Sequence, residues 1–153
     1  MIEQINDVDL IKQLWKPYTK ELGIPYTDYI QDQVNKGAFF CYKVDGHIAG
    51  ICTYYISNRK KEVAVESLIV LPPYRGQHIS TKLIYHMFKE TESLIKTLNY
   101  KFVTEAQEGL PNNSVYHHLA KDEYHYTSKS GKTKLILYTL DTDYLENKFK
   151  DLN

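Results

Sequence analysis

The chain has 153 residues, a length that fits one domain in which roughly 70% of the unfolded surface becomes buried. It carries 19 basic and 19 acidic residues, a balance that argues against a nucleic-acid reader and against attraction to an anionic membrane. The first residues lack the features of a signal peptide, and no apolar run approaches the ~20 residues that span a bilayer. We therefore expect a cytoplasmic protein with one mixed α/β domain over residues 1–153.

The first half predicts helices followed by an antiparallel meander. A short strand is expected over 2–5, and helical spacing of apolar residues over 8–22 is interrupted by Pro17, which should kink or divide the helix. Asn6 or Asp7 is the expected cap of this helix, and Thr27 the cap of a second one that runs to about Asn35. Three strands follow over 39–44, 48–57 and 63–70, the first two joined by the hairpin turn Asp45-Gly46.

The second half predicts a strand–helix–strand unit. A long amphipathic helix begins after Gly76 and extends to Leu98, and a strand follows over 100–106. This order implies a parallel pair of strands with a right-handed crossover. The remaining elements are a short helix from Asn112 or Asn113 to about Lys121, a hairpin over 124–128 and 134–140, and a terminal helix docked through Tyr144, Leu145 and Phe149.

The two cysteines, Cys41 and Cys52, fall in neighbouring predicted strands. A disulfide bond between them is one interpretation. Because nothing in the sequence indicates secretion, reduced and buried thiols are the preferred one.

The turn between the third meander strand and the long helix has the composition of an anion site. A strand, a turn and a helix start gather unpaired backbone N–H groups at the positive end of a helix dipole. Arg75 can offset anionic charge, and Gly76 permits close approach of the backbone. The N–H groups from Gln77 to Thr81 can point at a diphosphate, and the Ser80 and Thr81 hydroxyls can add hydrogen bonds. An ordinary strand-to-helix turn is the alternative.

The segment from Val70 to Ser80, VLPPYRGQHIS, resembles the acetyl-CoA-binding segment of the GNAT superfamily of acyl-CoA-dependent N-acyltransferases. The predicted element order is also similar to that family, which implies a mostly antiparallel twisted sheet of six to seven strands flanked by about four helices. In the family pattern Gln/Arg-x-x-Gly-x-Gly/Ala, Arg75 fills the first position, whereas His78 and Ser80 replace the usual small residues. The resemblance implies acetyl-CoA binding by Arg75, Gly76, Gln77, His78, Ile79, Ser80 and Thr81.

The same resemblance implies further cofactor contacts and a general base. Backbone groups of Leu68, Ile69 and Val70 would pair with the pantetheine arm, and Asn112 would bond the arm or act only as a helix cap. Glu105 resembles the glutamate that several family members use as base, often through water. Glu66 is the second candidate, expected on the same strand face as Leu68 and Val70. Another base acting through water, or no base, remains open.

The general acid departs from the family pattern. When Asn112 is aligned with the family's asparagine, Leu119 falls where a tyrosine is usual. Tyr116 lies one turn earlier and is the candidate replacement, as are His117 and His118, with core packing of Tyr116 as the alternative. Adjacent helical histidines point about 100° apart and have no further ligand at a recognised spacing, so we expect no metal site.

These features predict an N-acetyltransferase that moves an acetyl group from coenzyme A to a primary amine of a small molecule or peptide. No nucleic-acid or membrane partner is expected, and a homodimer through a sheet edge or the 144–149 segment is possible. The candidate walls of the acceptor site are Pro25, Tyr26, Tyr29, Tyr54 and Tyr55. Two alternatives stay open: a non-catalytic acyl-CoA-binding module or sensor, and a nucleotide-binding domain unrelated to coenzyme A.

Overall fold

The computed structural model describes residues 1–149 and is built on a seven-stranded sheet. The strands are β1 Ile2–Gln4, β2 Phe39–Val44, β3 His47–Ser57, β4 Glu62–Val70, β5 Lys101–Gln107, β6 Ala120–Thr127 and β7 Lys134–Leu140. Their spatial order is β1-β2-β3-β4-β5-β7-β6, and each neighbouring pair is antiparallel except β4 with β5. The predicted mostly antiparallel sheet, with its one parallel pair, is confirmed.

Helices cover both faces of this sheet. They are α1 Val8–Trp15, α2 Thr19–Leu22, α3 Thr27–Asn35, α4 Ile79–Glu90, α5 Glu92–Thr97, α6 Asn113–Leu119 and α7 Thr142–Phe149. Apolar side chains of α1 and α3 form one core with Cys41, Ile51 and Ile69 of the sheet. Apolar side chains of α4 and α7 form a second core with strand residues, such as Cys52, that point to the other face of the sheet. The two cysteines therefore lie on opposite faces, and both are free and buried.

The first helical region divides as Pro17 predicts. Asp7 caps α1 by accepting a hydrogen bond from the Leu10 N–H at 3.0 Å. The helix ends at Trp15, and a 3-10 turn that contains Pro17 leads into α2. The expectation that Thr27 caps the next helix is wrong. Thr27 is already the first residue of α3, and its hydroxyl accepts a hydrogen bond from Lys12 Nζ at 2.6 Å.

The predicted single helix after Gly76 is two helices, α4 and α5, that break at Thr91. The Thr91 hydroxyl donates to the Met87 carbonyl at 2.8 Å, while its backbone N–H bonds the Phe88 carbonyl at 3.1 Å. The side chain thus takes the acceptor that a continuing α-helix would give to the Thr91 N–H. Apolar periodicity continues across this point, so the pattern did not reveal the break.

A bulge in β4 changes which residues share a face. Ser67 has a φ of 55°, and the pairing of β4 with β3 shifts between the partners of Ile51 and Thr53. The extra residue reverses the alternation, so Glu66 faces α3 whereas Leu68 points into the α4 core. The expectation that Glu66 shares a face with Leu68 and Val70 is therefore wrong.

The elements after β5 follow the predicted order, but β6 begins at Ala120 rather than at the predicted Tyr124. Helix α6 ends at Leu119 rather than near Lys121, because Ala120 already pairs with β7 as the first residue of β6. The terminal helix is confirmed: Leu145 and Phe149 are buried in the α4 core. Within residues 1–149, no helix is both long and apolar enough to cross a bilayer.

Candidate active site

Two adjoining cavities open where β4 and β5 separate. Their parallel pairing covers only Glu62–Val65 on β4, after which β5 continues alongside β7. A cavity of about 750 Å³ lies in the gap, and a second of about 170 Å³ lies between the end of β4 and the turn before α4. Glu21 and Asn112 line both cavities. The volume of the larger cavity falls in the range of small-molecule sites.

The predicted diphosphate turn borders the smaller cavity. Its lining includes Arg75, Gly76, His78, Ile79 and Ser80, together with Ile69 and Val70 from the end of β4. Two members of the predicted set do not line it: Gln77 is exposed to solvent, and Thr81 is buried in α4.

The start of α4 presents uncapped backbone donors. His78 precedes the helix with a φ of 59°, and its side chain makes no capping hydrogen bond. The first intrahelical bond runs from the Lys82 N–H to the His78 carbonyl at 3.1 Å, so the preceding helical N–H groups have no partner within the helix. Gly76 has a φ of 82°, and apart from its chain neighbours no described residue lies within 4 Å of where its Cβ would be. A diphosphate therefore fits this turn in backbone direction, charge and space.

Two side chains hold the end of β4 that β5 leaves unpaired. Arg75 Nε donates to the Val70 carbonyl at 2.9 Å, and Asn112 Nδ2 donates to the Leu68 carbonyl at 2.8 Å. Asn112 precedes α6 but makes no side-chain cap, so its cap interpretation is wrong. The positioning role of Arg75 was missed, because sequence pattern alone suggests only its charge.

Both candidate bases line the larger cavity. Glu66 is half-buried and accepts a hydrogen bond from the Tyr29 hydroxyl. Burial raises the pKa of Glu66 above its ordinary value; the Tyr29 hydrogen bond opposes this, and the charge of Glu105 adds to it. Glu105 is exposed and accepts from the Tyr126 hydroxyl, whose pKa is raised to about 12 by burial and by that carboxylate. Tyr126 was missed, because its relation to Glu105 depends on how β6 and β7 pair.

Tyr116 is the candidate acid that reaches the cavity. Its ring is buried, lies 5.5 Å from the Tyr138 ring and contributes to the cavity wall, so core packing and cavity lining coexist. Burial raises the Tyr116 pKa, which keeps the hydroxyl protonated at neutral pH. His117 and His118 do not line either cavity; they contact Glu123 and, at 3.1 Å, the Tyr144 hydroxyl.

Aromatic residues form part of the outer wall. Tyr26, Tyr29 and Tyr55 line the larger cavity, as predicted, whereas Pro25 and Tyr54 do not. Tyr54 instead packs against the α4 core on the other face of the sheet. The site thus combines a backbone-rich turn, an unpaired strand end, two carboxylates and a protonated tyrosine.

This fold and site define an acyl-CoA-dependent transferase, and comparison with protein families agrees. The model of the acetyltransferase (GNAT) family matches residues 8–120. The chain belongs to the GNAT family, whose members transfer acyl groups from coenzyme A. No curated protein matches the sequence.

Solved structures share the fold at low sequence identity. One is the N-acetylglutamate synthase of Neisseria gonorrhoeae complexed with coenzyme A and N-acetyl-glutamate, at a TM-score of 0.70 and 12% identity. It covers 92% of this chain, which spans only 35% of the synthase. The ribosomal-protein-S18-alanine N-acetyltransferase of Escherichia coli gives a TM-score of 0.65 and 15% identity, covering 92% of each chain. Rv2747 of Mycobacterium tuberculosis, in complex with CoA, gives a TM-score of 0.64 and 13% identity. The match covers 92% of this chain and 99% of the Rv2747 chain.

Proposed function

We propose that this chain is an N-acetyltransferase that moves an acetyl group from acetyl-CoA to a primary amine by direct attack. The observation that carries the proposal is the pair of adjoining cavities, one bordered by uncapped N–H groups and the other by two carboxylates and Tyr116. Acetyl-CoA supplies the acetyl group as an activated thioester. The chain's own residues bind the two substrates and move the protons.

The smaller cavity suits the diphosphate, and the unpaired end of β4 suits the pantetheine arm. The free N–H groups at the start of α4 and the exposed Arg75 guanidinium favour negative charge. This part of β4 stays paired with β3 where β5 no longer pairs with it, and Arg75 and Asn112 bind the carbonyls of Val70 and Leu68. The arm would then lie beside Leu68, Ile69 and Val70 as an additional strand.

Glu66 is the base that we favour on structural grounds, although the sequence pattern favours Glu105. A carboxylate whose pKa is raised by burial accepts a proton more readily near neutral pH than an ordinary one. Glu66 would take the proton of the attacking amine, directly or through water. The protonated Tyr116 hydroxyl would give a proton to the sulfur as the C–N bond forms and the C–S bond breaks.

Matched variants test the cofactor site and the base. Arg75→Ala should weaken coenzyme A binding about tenfold or more in calorimetry, because charge-assisted contacts and the support of β4 are lost together. Arg59→Ala, in the exposed turn before β4, is the matched control and should bind normally. Unchanged affinity in both Arg75→Ala and Ser80→Tyr would exclude this turn as the diphosphate site.

For the base, Glu66→Gln should lower turnover on an amine panel about 10²–10⁴-fold with coenzyme A affinity retained. Loss of turnover in Glu105→Gln alone would assign the base to Glu105 instead. Tight coenzyme A binding without turnover of any amine would favour the non-catalytic module.

A further inference from the structure

The larger cavity is acidic although the chain as a whole is neutral. Within residues 1–149 its lining contains four glutamates, Glu21, Glu62, Glu66 and Glu105, against one lysine, Lys60, and no arginine. The full sequence has 19 residues of each sign. The excess of carboxylates is therefore a local property of this cavity, and the overall charge gave no sign of it.

These carboxylates lack cationic partners in the described part of the chain. The ion pairs there engage other acidic residues, such as Glu3 with Lys43 at 2.6 Å and Glu92 with Lys89 at 2.9 Å. Even Glu62, whose neighbour in register on β5 is Lys101, forms no ion pair in this region. Glu66 and Glu105 accept hydrogen bonds from tyrosine hydroxyls, but these bonds do not neutralise their charges. A bound cation would offset the repulsion between the carboxylates, such as that between Glu105 and Glu66.

The carboxylates are arranged along a line. Glu62, Ala64 and Glu66 lie on one face of β4 ahead of the bulge and all line the cavity, so the two glutamates are spaced by roughly 13 Å at the rise of a strand. Ala64 leaves room between them. Its cross-strand neighbour is Tyr55, whose ring also lines the cavity and already attracts Lys36 Nζ at 5.7 Å from its centroid. Glu105, on β5, faces the Glu66 end.

We propose that the acceptor is a small linear amine with a second positive charge and no carboxylate, an alkyl diamine or polyamine. This inference rests on the proposed acetyl transfer. The reacting ammonium lies between Glu66 and Glu105, the alkyl chain crosses Ala64 beside Tyr55, and Glu62 binds the distal ammonium. The reaction forms one acetamide C–N bond, breaks the thioester C–S bond, and yields coenzyme A thiol and one proton, which leaves through Glu66 to solvent.

A single charge held between Glu66 and Glu105 would leave Glu62, at the other end of this line, without a cation. Glu66 and Glu105 would face the reacting ammonium of any amine, so Glu62 contributes to recognition only when the acceptor carries a second positive charge. An acceptor with its own carboxylate, such as an amino acid, would meet four glutamates and one lysine. The cavity volume of about 750 Å³ suits a small molecule rather than a folded protein surface.

The test compares three acceptors of about eight carbons, a length that matches the spacing of the carboxylates. They are the terminal diamine, the primary monoamine and the ω-amino acid, each assayed with acetyl-CoA by release of the coenzyme A thiol. We expect kcat/KM of the diamine to exceed that of the monoamine at least about tenfold, with the amino acid lowest. Glu62→Gln should reduce the ratio of diamine to monoamine to about one, whereas Glu3→Gln, at the far edge of the sheet, should leave it unchanged.

The outcomes separate the two proposals. Equal kcat/KM for monoamine and diamine, or an unchanged ratio in Glu62→Gln, overturns the second-cation site while acetyl transfer stands. If no amine releases coenzyme A, the proposed transfer fails, and the cation site is decided by calorimetric titration of the diamine into the protein saturated with coenzyme A. Absence of binding there, or binding that Glu62→Gln does not weaken, overturns the site as well.

Discussion

His78 occupies a position where the family pattern has glycine, and its backbone shows how the substitution is accommodated. Its φ of 59° lies in the left-handed region that glycine enters freely and that costs another residue about 1–2 kcal/mol. The residue is exposed to solvent and forms part of the wall of the smaller cavity. The left-handed backbone conformation is therefore present although the residue is not glycine. Sequence comparison registers the missing glycine but not the retained conformation.

Glu66 should make stability depend on pH in a defined direction. Its folded pKa lies above the ordinary value of 4.5, so the native chain binds more protons than the unfolded chain from about that pH upward. The free energy of unfolding then falls as the pH rises through this window. Glu66→Gln removes the dependence while its amide oxygen can still accept from Tyr29. The melting temperature of the variant should rise relative to the parent between about pH 4 and about pH 7.

The control for this measurement is Glu108→Gln, which removes an exposed carboxylate outside both cavities. This variant loses the same single negative charge as Glu66→Gln, so it controls for the effect of net charge on stability. A difference between Glu66→Gln and the parent that grows toward acidic pH would contradict the assigned direction of the shift.

At the scale of elements, the bulge of β4 creates the site. Ser67 adds a residue at a φ of 55°, just beyond Val65, the last β4 residue that pairs with β5. Beyond it, β4 diverges from β5 and its carbonyls accept from Asn112 and Arg75 instead. Both cavities lie along this divergence.

Deletion of Ser67 should therefore close the cleft without unfolding the protein. In the deletion variant Glu66 and Leu68 are consecutive in the strand, so their side chains still point to opposite faces of the sheet. Each core therefore keeps the same side chains. A straighter β4 would extend its pairing with β5. We expect a near-native circular dichroism spectrum with coenzyme A affinity reduced at least about tenfold in calorimetry. Ser67→Gly keeps the bulge and should bind normally; equal affinity of the deletion variant would show that the bulge does not shape the site.

The features that the sequence predicted correctly are those that one or two neighbouring residues determine. The Asp45-Gly46 turn has φ values of 50° and 80°, the conformation that this dipeptide favours between strands, so the hairpin was predictable. Pro17 likewise divides its helix for a reason contained in one residue. The break at Thr91 depends instead on which carbonyl its hydroxyl bonds, and the bulge at Ser67 on the pairing of β4 with β3. Neither residue type marks such a feature by itself.

At the scale of the molecule, the site is assembled from elements far apart in sequence. Glu66, Glu105 and Tyr116 come from β4, β5 and α6 and line one cavity. The sequence indicated Glu105 by its position in the family pattern, Glu66 as a carboxylate within an apolar strand, and Tyr116 as the tyrosine one turn before Leu119. The Tyr29 and Tyr126 hydrogen bonds and the acidity of the cavity were not predictable, because they depend on which surfaces the fold brings together.

The terminal helix α7 is part of the same cooperative unit as the site. Leu145 is 0% exposed and belongs to a core that extends from Phe40 of β2 to Phe149. Leu145→Ala should lower the free energy of unfolding by about 2–5 kcal/mol, because it leaves a cavity beneath α4. Leu98→Ala removes the same atoms at a position that is 56% exposed and should change it by less than about 0.5 kcal/mol. Urea denaturation followed by circular dichroism and tryptophan fluorescence should give one coincident transition in both variants. A separate early transition in Leu145→Ala, with coenzyme A binding intact between the two, would show that α7 folds independently of the sheet.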